Sequence, residues 1–274
     1  MDDVSQKPIF VVGSPRSGTT LLQYMLRSHP DISLPSGESA FMVPFFRREH
    51  EFGDLSELPA IRRLLAEMLE KHTEFLTDDL HGIVFDVDRL ADEFHAEQRH
   101  DMASIFAGIF EKNARGEGKS RWGDKTPFYV LAIDLLLEKY PGAQFIHLIR
   151  DGRDVALSLM GRRKDFGVYN AYVAAEYWDF YVSRGSESGA RLAKDVYLEV
   201  RYEDLLEEPK AKMMEICQFL GVSFHESMLD FAKPKEAKLT PLLRKPIQKT
   251  NKEKWRSEMS KREAMALSLP EAST

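Results

Sequence analysis

The segment Phe10-Val11-Val12-Gly13-Ser14-Pro15-Arg16-Ser17-Gly18-Thr19-Thr20-Leu21-Leu22 reads as an apolar strand, a glycine-bracketed turn and the start of a helix. A loop of this kind cradles phosphate, because backbone N–H groups converge on the anion and the helix N-terminus lends partial positive charge. Gly13 and Gly18 alone would also serve a tight turn with positive φ. The strand before them, the helix after them and the run Arg16-Ser17-Gly18-Thr19-Thr20 between favour the cradle.

The GxxxxG frame is that of the Walker A loop, but Thr19 stands where a nucleotide triphosphatase has the lysine that reaches the β- and γ-phosphates. The loop offers Arg16 and the paired hydroxyls of Thr19 and Thr20 instead. That set suits one terminal phosphate carrying a small charged group, bound without metal, and does not suit a γ-phosphate.

With 274 residues the chain has room for one large α/β domain or two small ones. Its 44 acids against 38 bases give a formal charge of −6, which argues against global attraction to nucleic acid or an anionic membrane. Any anion site must therefore be local. The single cysteine, Cys217, falls in an apolar helical run and reads as a buried thiol. The acidic start carries no signal-peptide core, and no apolar run approaches the roughly 20 residues that span a bilayer. A cytoplasmic enzyme of bacterial type is the expectation.

Along the chain, a helix is expected over 18–28, stopping before Pro30, and a loop through Pro35-Ser36-Gly37 follows. Ile61, Leu64, Leu65, Met68, Leu69 and Phe75 recur at helical spacing over 58–76, and further helices are expected over 87–98 and 102–114. Without strand signals, 43–119 reads as a helical insertion shaping an acceptor cleft. Strand character returns at 120–125, then a helix over 127–140, a buried strand over 143–149 and a new helix from Asp154. An aromatic helix over 169–184, a strand over 196–201 and a helix over 209–220 ending at Gly221 complete the pattern. Alternating strands and helices predict a parallel sheet. The tail 233–262 holds eleven lysines and arginines against three glutamates, with Pro234, Pro241 and Pro246 disfavouring regular structure. Charge runs are usually solvated, but Trp255 between Lys254 and Arg256 suggests docking.

A second constellation, Arg150-Asp151-Gly152-Arg153-Asp154-Val155-Ala156-Leu157-Ser158, places a guanidinium at a strand end and a hydroxyl about two helical turns later. Together with the first loop it resembles the sulfotransferase family. PRSGTT, HP, KTPF, RDGRDVALS and RYEDL stand in family order, and the likeness is to the branch that includes tyrosylprotein sulfotransferases and many bacterial enzymes. It covers 8–42 and 120–260. The resemblance implies a single α/β domain over 1–274, with a P-loop-type central parallel sheet flanked by helices and the insertion over the acceptor site. It implies 3′-phosphoadenosine-5′-phosphosulfate as donor and no metal.

Carried over residue by residue, Arg16, Ser17, Gly18, Thr19 and Thr20 would wrap the 5′-phosphate, and Arg150 and Ser158 would grip the 3′-phosphate. Tyr202 matches a tyrosine near the nucleotide. Lys254 matches a C-terminal lysine on the 3′-phosphate side, with Arg244 and Lys245 as alternatives. Glu38, in Gly37-Glu38-Ser39, matches the family's catalytic base, although the tyrosylprotein enzymes carry two adjacent glutamates there. Lys125 matches the lysine that stabilises the leaving bridge oxygen, and Arg16 shares that role. Two phosphates do demand two cationic sites, which agrees with the likeness.

Standing alone, Glu38 would read as an acid complementing a helix dipole and Lys125 as a surface lysine. His147, inside an apolar strand, reads as a core residue and His29 as a helix cap, so neither displaces Glu38 as base. A P-loop kinase or NTPase is the nearest rival and a non-catalytic nucleotide-binding protein the rival of another class. The acceptor stays open among small-molecule, carbohydrate, lipid and peptide hydroxyls. The aromatic stretch Tyr169, Tyr172, Tyr177, Trp178, Phe180 and Tyr181 reads as core in preference to an acceptor wall.

Overall fold

In the computed structural model, residues 7–72, 82–230 and 247–267 are described. The strand read from the first motif is β1, Ile9–Gly13, and every residue in it is buried. Phe10 and Val12 face an aromatic layer and Ile9 and Val11 an aliphatic one, so both faces are covered and the strand is a continuous apolar run.

The chain continues through α1 (Thr19–Arg27), the two-residue edge strand β2 (Ile32–Ser33) and α2 (Met42–Phe46). Next come α3 (Leu58–Lys71), α4 (Val87–Ala96) and α5 (Met102–Gly116). Asp86 and Asp101 cap α4 and α5, accepting the N–H groups of Arg89 and Ser104 at 2.8 and 2.9 Å. Strand β3 (Arg121–Lys125) leads to a 3₁₀ turn, Pro127–Ala132, and then to α6 (Ile133–Lys139). Strand β4 (Gln144–Ile149) precedes α7 (Gly152–Gly161), the short α8 (Arg163–Phe166) and the long α9 (Ala171–Gly189). Strand β5 (Tyr197–Arg201) precedes α10 (Tyr202–Glu207) and α11 (Pro209–Leu220). The short helices α12 (Trp255–Glu258) and α13 (Lys261–Ala266) follow near the C-terminus.

All strand pairings are parallel, in the order β2-β3-β1-β4-β5. Strand β1 is central, with β3 on one side and β4 on the other. Chain segments diverge from its carboxyl end, where open α/β sheets bind ligands. The aromatic layer packs α2 to α6 on one face through Phe41, Phe45, Phe106, Phe110, Trp122 and Tyr140, while α1, α10 and α11 cover the other.

The expected helices over 18–28, 87–98 and 102–114 form within two residues of their predicted ends, and 209–220 forms as predicted. Of the helix expected over 58–76, Leu58–Lys71 is helical and Phe75 lies outside the described residues, as do Pro234, Pro241, Pro246, Arg244 and Lys245. The helix expected over 127–140 is divided: Ala132, at φ −138° and ψ 25°, leaves the helical region between the 3₁₀ turn and α6. Strand β2 was unreadable as a strand, because two residues carry no alternation. The core reading of the aromatic stretch holds for Tyr181 and fails for Tyr169, Tyr172 and Phe180, which are exposed on or beside α9. Cys217 is buried, and burial pushes its thiol up to about 11. No helix among the described residues is long and apolar enough to cross a membrane.

Arg121 ties the amino-terminal edge of the sheet together. It is 2% exposed and donates to the carbonyls of Lys7 and Leu220 at 2.7 and 2.6 Å and to Gln144 Oε1 at 2.5 Å. Burial holds its guanidinium down at about 10. Arg121→Met keeps the volume but leaves three buried acceptors unpaired. A loss of about 3 kcal/mol is expected, measured by urea unfolding.

Candidate functional site

The loop leaving β1 turns through two left-handed residues, Arg16 at φ 72° and Gly18 at φ 91°. Gly18 must lack a side chain, because an added Cβ would lie 2.4 Å from the Tyr202 ring. Helix α1 begins directly after it with no side-chain cap and no acid in its first turn, so its opening N–H groups face the loop unneutralised.

The parallel pairing of β1 with β4 sets Gly13 beside Leu148 and delivers Arg150, just past the end of β4, to the same loop. Arg150 donates from Nη1 to the Arg16 carbonyl and from Nη2 to the Asn251 carbonyl, each at 3.3 Å. Its guanidinium lies over the Tyr202 ring at 4.7 Å, and its own carbonyl accepts from Trp178 Nε1 at 3.0 Å. Asp154 Oδ2 stands 3.5 Å away, yet Arg150 Nε is buried without a partner. Arg16 donates from Nε to Ser158 Oγ at 3.0 Å, so groups predicted for opposite phosphates touch one another. Partial desolvation, then the nearby charges of Arg162 and Arg150, hold the Arg16 guanidinium below its ordinary value. Cations crowded in this way favour an anion between them.

These residues line a cleft of about 390 Å³ at the carboxyl edge of the sheet. Arg16, Gly18, Thr19, Thr20, Glu38, Arg150, Ser158, Tyr202 and Lys254, all predicted for the site, border it. Lys125, 3% exposed, does not itself border the cleft; its Nζ lies 2.6 Å from Oε1 of Glu38, which does. Ser17 lies beneath the loop, fully buried, with its hydroxyl unpartnered. His29 and His147 stand apart from the cleft, as expected. His29 Nε2 is 2.8 Å from the Ser223 carbonyl and His147 Nδ1 is 2.6 Å from Tyr197 Oη.

Sequence reasoning missed Asn251, whose side chain donates to Tyr202 Oη at 2.7 Å, and Asp154, which accepts the Trp255 N–H at 3.1 Å. Asp154 lay in a quoted motif, but its neighbours gave no sign that it anchors the C-terminal segment. Phe128 and Phe166 were also missed. Both line the cleft, and ring contacts join them through Tyr181 and Tyr177: Phe128 to Tyr181 at 5.9 Å, Tyr181 to Tyr177 at 4.8 Å, and Tyr177 to Phe166 at 6.4 Å. The described residues of 43–119 pack into the aromatic core and do not border this cleft.

A family model described as the sulfotransferase family matches residues 8–226. The chain belongs to the sulfotransferase family. A protein-tyrosine sulfotransferase of Drosophila melanogaster is 27% identical over 224 residues, 81% of this chain and 39% of that protein. Protein-tyrosine sulfotransferase A of Caenorhabditis elegans is 25% identical, over 81% of this chain and 51% of that one. This sulfotransferase-family chain thus spans at most about half of those relatives. Among solved structures, the sulfotransferase domain of the Synechococcus PCC 7002 olefin synthase superposes with a TM-score of 0.64. It is 27% identical, over 95% of this chain and 92% of that domain. The sulfotransferase domain of the curacin biosynthetic pathway shares the fold, with a TM-score of 0.61 at 20% identity over 95% of both chains.

The close approach of Tyr202 makes Gly18 a test of the loop. Gly18→Ala forces both an unfavourable φ and displacement of the ring. Thermal unfolding is expected to show a loss of about 1–3 kcal/mol.

Proposed function

We propose that this protein transfers the sulfuryl group of 3′-phosphoadenosine-5′-phosphosulfate to an acceptor hydroxyl. One observation carries the reading: two arginines meet on a glycine-bracketed loop that lacks the Walker lysine, and Glu38, on the same cleft, is paired with Lys125 behind it. The residues suit a donor with two anionic ends. The loop N–H groups, Ser17, Thr19 and Thr20 serve the 5′-phosphate. Arg150 and Ser158 serve the 3′-phosphate, and Tyr202 and Asn251 flank them. Arg150 Nε, buried and unpartnered on a residue that lines the cleft, is a donor that a phosphate oxygen satisfies. Lys254 adds charge at the rim. The single-domain organisation over 1–274 belongs to the same proposal.

Glu38 acts as general base and removes the acceptor proton as the acceptor oxygen attacks sulfur. The bridge oxygen departs with the 5′-phosphate, and Lys125 and Arg16 balance the charge that develops on it and on the sulfuryl oxygens. Preorganised charge of this kind is worth roughly 3–4 kcal/mol per donor removed. Lys125 is well suited, because its burial shields the ammonium from water while the 2.6 Å contact with Glu38 fixes its position. These cations supply what a metal supplies elsewhere.

Phe128 follows Lys125 by three residues, and with Phe166 it gives the cleft an aromatic wall. That wall supports an acceptor hydroxyl carried on an apolar or aromatic group, in preference to a free sugar. The aromatic array beneath it reaches the surface at Phe180, whose ring lies 5.5 Å from that of Tyr181.

Isothermal titration separates this reading from a kinase. Binding of 3′-phosphoadenosine-5′-phosphate is expected, and Arg150→Ala should weaken it more than about tenfold, since a charge-assisted contact is worth about 1.5–3 kcal/mol. Tight binding of ATP with magnesium and none of the bisphosphate overturns it. Transfer of labelled sulfate to a panel of aryl alcohols, alkyl alcohols and sugars separates an enzyme from a binding protein. Aryl and alkyl acceptors should lead, and Glu38→Gln should lower turnover by about 100-fold or more with nucleotide affinity unchanged. Equal turnover in that variant removes Glu38 as the base.

A further inference from the structure

Behind the Glu38–Lys125 pair lies a carboxyl that the reaction above does not use. Asp124 precedes Lys125 on β3, so it faces the opposite side of the strand, toward the aromatic layer and beside its register partner Phe10. It is 1% exposed, and neither carboxylate oxygen meets a partner in full hydrogen-bond geometry. A carboxylate in such surroundings is costly. Burial pushes Asp124 up to about 6, against the opposing influence of the Thr126 and Ser39 hydroxyls, the charge of Lys125 and the Ser39 backbone N–H. The other titratable groups that feel it are Tyr129 and Tyr140, whose phenols burial raises well above their ordinary value, so both stay neutral.

The hydroxyls near Asp124 connect the two halves of the reactive pair. Ser39 follows Glu38 and Thr126 follows Lys125, and their oxygens are 3.4 Å apart. Ser39 Oγ is also 3.1 Å from Tyr129 Oη, which accepts the Met42 N–H at 2.8 Å. Thr126 Oγ1 accepts the Ala40 N–H at 3.4 Å. Three hydroxyls carry three protons, and the two contacts between them use at most two. One proton remains, and the influence of the Ser39 and Thr126 hydroxyls on Asp124 marks its carboxylate as the group positioned to draw it. The turn after Glu38 needs such ties, because Ala40 is held at φ 54°, a left-handed conformation that alanine rarely adopts.

We propose that Asp124 is a positioning residue: its carboxylate orients the hydroxyls of Thr126, Ser39 and Tyr129, and these clamp the Glu38 turn against Lys125. The proposal rests on the sulfuryl-transfer reading for its effect on turnover but not for its effect on the pair itself. Protonation of Asp124 turns one of its two acceptor oxygens into a donor and removes the charge that strengthens acceptance, so the turn relaxes and the ionised form is the active one. The sign for stability is opposite. An acid whose folded value is raised opposes folding once ionised, so the penalty is absent below its unfolded value near 4 and complete above about 6.

The test compares wild type, Asp124→Asn and Ser39→Ala. For Asp124→Asn, kcat is expected to fall about tenfold or more near neutral pH, as a displaced catalytic group requires. Bisphosphate affinity and acceptor KM should change less than about twofold. The acid limb of wild-type kcat near pH 6 should vanish, and the unfolding temperature at pH 8 should equal or exceed that of wild type. Ser39→Ala breaks the cross-tie by another route and should reproduce the selective loss of kcat, which keeps the test valid if the asparagine variant folds poorly. Acetic anhydride labelling of Lys125 in the ligand-free protein, read by mass spectrometry, should be several-fold faster in both variants. Unchanged labelling, or an unchanged kcat and acid limb, overturns the role of Asp124. Absence of bisphosphate binding and sulfate transfer in wild type overturns the sulfuryl-transfer reading instead, and the labelling result still decides Asp124.

Discussion

Arg150 donates to the backbone carbonyl of Arg16, and the cleft is arranged around that contact. It exists because β1 and β4 run parallel with Gly13 opposite Leu148, so the phosphate loop and the end of β4 emerge side by side. Two guanidinium groups are thereby held near one another, which is unfavourable in itself. The cost is met by a stack on Tyr202, by backbone carbonyls and by Asp154, none of which consumes all the donors of Arg150. A site assembled this way concentrates positive charge before any ligand arrives.

The same edge of the sheet carries a second pairing of unlike charges. Lys125 is among the most buried cations in the protein, and Glu38, much more exposed, meets it from the loop that follows β2. Burying an ammonium is tolerable where one strong partner and fixed geometry offset its lost hydration. The aromatic layer on the other face of β3 isolates Asp124, the register partner of Phe10. The described helices of 43–119 help to build that layer, which keeps the Asp124 carboxyl dry.

The C-terminal segment shows how a basic run becomes part of a site. The Trp255 ring meets the guanidinium of Arg153 at 3.8 Å and that of Arg256 at 4.7 Å, and its backbone N–H donates to Asp154. Asn251 reaches both Arg150 and Tyr202. Docking therefore depends on one aromatic ring, one buried acid and one amide, while the net charge of the run contributes Lys254 at the rim.

Much of this was legible in the residues. The apolar runs of β1 and β4 mark them as buried strands, and the Gly13 to Thr20 loop is readable because close backbone approach leaves no choice but glycine at Gly18. Arg16, Glu38, Lys125, Arg150 and Ser158 were singled out by their motifs and the family resemblance those motifs carry; standing alone, Glu38 and Lys125 would have read as ordinary surface charges. What lay beyond reading shares a cause. Strand β2 is too short to have a period, and Ala132 leaves the helical region with no proline or glycine to mark the break. Phe180 and Tyr172 carry no local sign of facing solvent. Asn251, Asp154 and the Ser39–Thr126 tie matter only through partners as many as 101 residues away in the chain. Local sequence determined which segments form strands, turns and helices and which ligand chemistry the loops favour. The tertiary structure alone decided which hydroxyls, amides and aromatic rings complete the site, because long-range contacts depend on strand order and register.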